Sequence, residues 1–366
     1  MTDTAPARQA APADQVPPGE GRPRLRIPPL ARYILVRSVL SVLLLLGTTV
    51  VTFVLTNLVP ADPLAAVLGD QAAADPTIVA QYRLNMGLDK PLIQQYLGYL
   101  GRLLHGDLGM SAQTRNPVAS DLAAAFPATV ELASFVLVLA TILGVGLGLL
   151  AAQRHRRLPD QLIRLVSVVG ISMPTFWLAL IVFYVFFFKL RLLPGSGRLD
   201  PELTTQPHVT GFYTVDAVLA GQWDIFANAL THLVLPALVL TLYAVGLLVR
   251  FTRSAVLDVL NEPYVRAARA KGLSPAVVTF HYVLTGAMLP ILTLIGLVFA
   301  SLLSGAVLIE QVFAWHGLGQ YAYLAATKLD LQAIMGVGLL VGAAYITINF
   351  LVDVMAGLLD PRVRTQ

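Results

Sequence analysis

One common way to build a catalytic metal centre is a pair of histidines on one helix face. The six here, at positions 105, 155, 208, 232, 281 and 316, are scattered, and no His-Glu-x-x-His pair occurs. No Gly-x-Ser-x-Gly elbow presents a serine nucleophile. The chain has no cysteine, which removes thiolate catalysis, thiolate metal ligation and a disulfide framework. A loop that cradles ATP phosphates needs Gly-Lys-Ser/Thr, yet the four lysines, at 90, 189, 271 and 328, each follow a residue other than glycine. The chain is therefore not expected to be an enzyme, and transport driven by ATP would place the nucleotide on another subunit. Ion-coupled carriers keep ionisable groups inside their spans despite the cost. Here Glu131 stands at the start of one apolar stretch, where a helix dipole favours a carboxylate, and Asp353 at the end of another.

The segment 261–275 has more chemical character. It reads Asn261-Glu262-Pro263-Tyr264-Val265-Arg266-Ala267-Ala268-Arg269-Ala270-Lys271-Gly272-Leu273-Ser274-Pro275. Asn261 suits an N-cap, and Glu262 and Pro263 a first turn. Gly272 can adopt the left-handed conformation that ends a helix. Ser274-Pro275 then caps and starts the next one. The pattern predicts a helix of about three turns, with Ala267, Ala268, Lys271 and Gly272 on one small, flat face. Arg266 and Arg269 flank it. Two surroundings fit such a face equally: the groove of a partner protein, or an anionic lipid surface.

Composition sets the elements that must hold this helix. Hydrophobic residues make up 56% of the 366 and charged residues 13%, about half the charged share of soluble domains. A bilayer is the solvent this implies. Six uncharged stretches approach or exceed the roughly 20 residues that span one: 38–58, 132–153, 165–188, 233–249 (beginning nearer Phe226), 286–309 and 331–352. The first is not read as a signal peptide, because it lacks a small-residue cleavage site and is too long. Seventeen of the 25 Lys and Arg fall in the N-terminal segment, the tail and the loops after spans two and four, whereas 12 acids crowd the other three loops. By the positive-inside rule both termini and the basic loops are expected to be cytoplasmic. The net charge of +4 is read as this bias and not as affinity for nucleic acid.

Residues 1–30, rich in Ala, Pro and Gln, read as a disordered cytoplasmic extension. The loop from 59 to about 126 is long enough to hold structure, with helical apolar spacing over 92–104. Gly144, Gly146 and Gly148, and the pair Gly338 and Gly342, suit close helix packing. Pro174, Pro236 and Pro290 each interrupt a span; they are read as kinks, ordinary or shaping a pathway. The aromatic residues of 176–188 are read mostly as lipid-facing or interfacial.

The loop helix resembles the EAA loop of ABC importer permeases, in which two alanines are followed after three residues by glycine. Ala267, Ala268 and Gly272 match it. Arg266 occupies the usual acidic position, and Tyr282-Val283-Leu284-Thr285 the usual Ile-x-Leu-Pro position, with Leu289-Pro290 following. Both departures resemble the peptide-permease branch, whose loop reads Tyr-Val-Arg-x-Ala-Arg-Ala-Lys-Gly-Leu. Similar segments run in order along the chain. They are Leu58-Val59-Pro60-Ala61-Asp62-Pro63, the stretch from Leu84 to Pro91, Gly106-Asp107-Leu108-Gly109 and Pro127-Ala128-Thr129-Val130-Glu131-Leu132. Met173-Pro174-Thr175-Phe176-Trp177, Leu193-Pro194-Gly195-Ser196-Gly197, the segment from Glu310 to Gly319, and Leu359-Asp360-Pro361-Arg362 complete the set.

From about residue 31 to 364 the chain resembles the B-type permease subunit of dipeptide, oligopeptide and nickel importers. The resemblance implies an all-α membrane protein of the bacterial inner membrane, with six transmembrane helices and the type I ABC importer domain. It divides into the first span with its outer loop (31–125), a five-helix transmembrane domain (126–355) and a tail (356–366). The implied partners are a second permease subunit, two ATP-binding subunits that hold ATP and Mg, and an extracytoplasmic solute-binding protein. This chain itself would bind no cofactor. Glu262, Tyr264, Arg266, Ala267, Ala268, Arg269, Lys271 and Gly272 would form the coupling loop, and Trp315, Gly317 and Gly319 would lie at the extracytoplasmic mouth. His316 beside them is taken as structural, not as a nickel ligand. The competing function is a self-contained channel or secondary carrier. The cargo is not legible.

Overall fold

A computed structural model describes residues 29–58, 77, 80, 90–203 and 209–359. The N-terminal extension, the motif after the first span, most of the segment from Leu84 and the C-terminal tail lie outside them. Among the described residues, these helical elements position everything that follows. They are α1 (Pro29–Leu58), α2 (Leu92–Leu104), α3 (Val118–Gln153), α4 (Leu158–Ser172), α5 (Thr175–Val182), α6 (Tyr213–Leu219), α7 (Trp223–Leu260) and α8 (Pro263–Ala270), then α9 (Pro275–Gly305), α10 (Val307–Val312), α11 (Leu318–Thr327) and α12 (Leu331–Leu359). No strand occurs among the described residues, only a single bridge between Met110 and Pro117.

Among the described residues α1, α3, α7, α9 and α12 are each long and apolar enough to cross a bilayer. The third expected span differs. It is two helices, α4 and α5, bent by 99°. Pro174 cannot donate an amide hydrogen and pushes the residue before it out of the helical region; Met173 is extended, at φ −79° and ψ 130°. A wider π-helical turn, Phe183–Lys189, continues α5. Pro236 and Pro290, by contrast, sit within unbroken helices. Pro127 does the same in α3 and was not singled out by the sequence.

The core forms where α3 lies along α7, closed by α5, α9 and the α10 region. Small residues permit this closeness. Side chains at positions 144 and 148 would run into Leu248 and Thr252 of α7, whereas Gly146 faces open space and serves no such contact. Gly342, with Gly338, lets α12 approach Thr48 and Thr52 of α1. The α2 helix lies against α1 through Phe53, Tyr96 and Tyr99, with a Thr49–Tyr96 hydroxyl bond of 2.8 Å. Of the aromatic run, Phe176, Trp177, Tyr184, Phe187 and Phe188 are exposed, while Phe183 and Phe186 pack on the core.

Candidate functional site

The loop helix α8 forms where expected, but its details differ from the sequence reading. It spans eight residues, about two turns. Asn261 ends α7, its amide donating to the Asp258 carbonyl at 3.2 Å, and Glu262 takes the N-cap position before Pro263. Helical spacing puts Val265 and Ala268 on one side, and both are buried. They pack against Val256, Val278, Val283, Ala287 and Ile291, so Ala268 does not share an outward face with Ala267. The apolar residues beside α8 outcompete solvent for the one alanine within their reach. The outward surface comprises Arg266, Ala267, Arg269, Ala270, Lys271 and Gly272, all exposed. Gly272 has φ +75° with open space around its α-carbon. Glycine is required there by conformation, not by crowding. Tyr264 is half-exposed and reaches back over Gly286; burial, then the nearby Glu262 carboxylate, pushes its hydroxyl pKa up. Ser274 caps the start of α9, accepting from the Val277 amide at 3.4 Å.

A feature that sequence reasoning missed lies at the same end of the bundle. Asp160, 1% exposed, receives both nitrogens of the Arg253 fork, Nε at 2.6 Å and a terminal nitrogen at 2.9 Å. The Arg156 amide donates to it at 2.8 Å, and Arg164 Nε stands 3.7 Å away. This clasp ties the loop before α4 to the helix that leads into α8. A sequence signal was present: Asp160 is the lone acid among four arginines between 154 and 164.

At the opposite end, Trp315, Gly317 and Gly319 do come together, on Glu310. That carboxylate is fully buried and accepts from Thr129 Oγ1 at 2.7 Å and from the Gly319 and Gln320 amides at 2.8 and 3.1 Å. Burial pushes its pKa up, against the pull of these bonds. Both glycines are a matter of space: a side chain at 317 would meet Thr129 and Glu310, and one at 319 would sit 2.6 Å from the Val307 backbone. Trp315 is buried and donates Nε1–H to the Ala128 carbonyl at 2.8 Å. His316 is exposed, with its amide bonded to the Gln320 side chain at 2.7 Å.

Glu131 belongs to the same assembly and corrects the sequence reading. It is not at a helix N-terminus, since α3 begins at Val118. It is 5% exposed and pairs with Arg198 at 2.6 Å, while Thr214 donates to it through both amide and hydroxyl. Arg198, 8% exposed, also bonds the Gly211 carbonyl and lies 3.7 Å over the Tyr213 ring. A buried charge held this way has its compensation built in. Above it opens a cleft of about 670 Å³, with Asp121, Asp200, Tyr213, His316 and Tyr321 in its walls. The Gly106–Gly109 motif is structural: Asp107 accepts from the Gly109 amide at 2.8 Å, and the loop is pinned to the start of α12 by Ser111 on Asp330 at 2.6 Å.

The chain is thus a bundle of spans with an exposed small-residue helix at one end and a locked polar loop at the other. Residues 144–365 match the family model described as binding-protein-dependent transport system inner membrane component, and 30–133 match the N-terminal model of the same systems. The chain belongs to this family. It is a multi-pass inner-membrane protein and a permease subunit of an ABC importer. The permease is 44% identical over 322 residues to the "Probable D,D-dipeptide transport system permease protein DdpB" of Escherichia coli K12, covering 88% of this chain and 94% of that one. It is 42% identical to the "Di/tripeptide transport system permease protein DppB" of Pseudomonas aeruginosa UCBPP-PA14, covering 87% and 95%. It is 37% identical to the "Dipeptide transport system permease protein DppB" of E. coli K12, covering 92% and 99%. A permease of a binding-protein-dependent system works with partners.

Proposed function

We propose that this permease carries short peptides or similar solutes and forms half of the pathway beside a second permease subunit. Two ATP-binding subunits, holding ATP and Mg, supply the driving force, and an extracytoplasmic binding protein delivers cargo. The permease itself hydrolyses nothing. The basic loops face the cytoplasm, so α8 meets the ATP-binding subunits and the Glu310 end meets the binding protein. The observation that carries this reading is the surface of α8. Its inner side is anchored by Val265 and Ala268, while small and basic side chains are left outward. A rigid element with little to bury on its outer side is suited to enter a groove and be pushed. Closure of the ATP-binding subunits then moves α8, and the spans follow as rigid bodies between two packings.

Gly272→Asp tests the assignment. It places a charged side chain at the end of α8, in a backbone conformation that side chains resist. Uptake of labelled dipeptide should be lost while the protein still reaches the membrane at the normal level. Normal uptake would contradict docking through α8. The cargo class is tested separately, by competing labelled dipeptide with tripeptides and with free amino acids in the assembled system.

A further inference from the structure

A second cleft, of about 610 Å³, lies between α4 and α7 at the end that carries the basic loops. Arg164 and Arg250 stand in it, and Leu165, Val168, Ile171 and Val249 form its apolar walls. Among the described residues no Asp or Glu lines it; the nearest carboxylate, Asp160, pairs with two of its arginines from outside the lining. The arginines differ in how far they are already satisfied. Arg253, also in the wall, spends its fork on Asp160. Arg164 touches the same carboxylate only at 3.7 Å and keeps 55% of its side chain exposed. Arg250 is exposed and has no hydrogen bond or ion pair among the described residues. One carboxylate thus answers two of the three guanidinium groups, Arg253 and Arg164, and the surplus is positive.

Depth decides what neutralises it. Arg164 lies six residues inside α4 and Arg250 ten residues before the end of α7, or roughly 9 and 15 Å along the helices. Leu165 and Val168, 61% and 58% exposed, continue the groove further into the span. Two cations at headgroup depth above an exposed apolar groove match an amphiphile with an anionic head and a hydrocarbon tail. A hydrated small anion would gain nothing from the groove. A peptide would find few polar partners along it.

We propose that this cleft binds an anionic phospholipid, its phosphate between Arg164 and Arg250 and one acyl chain along Leu165, Val168 and Ile171. Bound there, the lipid covers the seam between the broken span and the helix that leads into α8.

The test uses the assembled importer in nanodiscs of phosphatidylcholine, with or without phosphatidylglycerol, and counts lipids retained after mild extraction by native mass spectrometry. The wild type should retain phosphatidylglycerol over phosphatidylcholine. Arg164→Gln with Arg250→Gln should cut that preference by roughly thirtyfold, since each basic residue near an anionic surface is worth about fivefold. Arg154→Gln with Arg157→Gln, the same charge lost at the same end, should leave it unchanged. Val168→Trp fills the groove at an exposed position without altering charge, and should lower retention of both lipids. Equal retention by the two double variants would overturn the proposal. So would displacement of the lipid by millimolar inorganic phosphate, which would make this a soluble-anion site, or by dipeptide, which would make it part of the cargo path.

Discussion

The Glu310 end of the permease and the α8 helix are built on opposite plans. At the Glu310 end, charged groups are inside. Glu310 is fully buried and the Glu131–Arg198 pair nearly so, and each is bonded to elements far apart in sequence. At the α8 end the charged groups of the helix point outward and only Val265 and Ala268 turn in. Buried, partnered charges fix one arrangement, because any other leaves a charge unpaired. Exposed cations on a short helix fix nothing and are free to meet a partner. The Glu310 end is therefore a rigid frame, and α8 a surface for presentation.

The sharpest way to break this contrast is Arg198→Met. It leaves Glu131 buried with only the Thr214 donors. Removing one partner of a buried pair typically costs about 3–5 kcal/mol. Thermal unfolding in detergent should show a loss of that size, and adding Glu131→Gln should restore part of it. A loss under about 1 kcal/mol, the range of exposed pairs, would show that the frame does not depend on this pair. Arg266→Met on α8 should cost nothing measurable in the same assay.

Glu310 sharpens the comparison through pH. Burial raises its pKa, so the folded state binds this proton more tightly than the unfolded chain does. The resulting stability is fully present below the unfolded carboxylate pKa, about 4.3. It is lost as pH rises through the raised folded value. The wild type should therefore lose stability relative to Glu310→Gln as pH is raised from 4 towards 8, by less than the Arg198 effect. An unchanged difference across that range would mean Glu310 is no more easily protonated in the fold than out of it.

The frame was the less legible of the two ends in the sequence. Apolar runs without charge located the spans, because a bilayer tolerates little else, and the Asn261–Pro275 punctuation located α8 to within a residue or two. Those signals are local. The partners of Glu131 and Glu310 come from 67 and 181 positions away, Arg198 and Thr129, and no spacing rule reaches so far. Glu131 read as a helix-start carboxylate because α3 begins earlier than its charge-free core, at Val118. Pro174 read like Pro236 and Pro290, since one proline does not declare whether neighbours will close the gap or let the chain turn. Ala268 was assigned outward by helical spacing, which fixes which residues share a side but not which side the core will take.

The smallest effect should come from Ser274→Ala, at the joint between α8 and α9. Its hydroxyl accepts from Val277 at 3.4 Å, a long bond for a cap. Serine caps are worth about 0.5–2 kcal/mol, so the lower end applies here. Pro275 at the first helical position already fixes the entry conformation, and the Val278 amide bonds the Ser274 carbonyl at 3.0 Å whatever the side chain. Stability should fall by about 0.5 kcal/mol, with dipeptide uptake close to normal. A presenting surface needs its backbone turn more than its capping hydroxyl, so a large uptake defect in Ser274→Ala with unchanged stability would locate the coupling contact at this joint and not on α8.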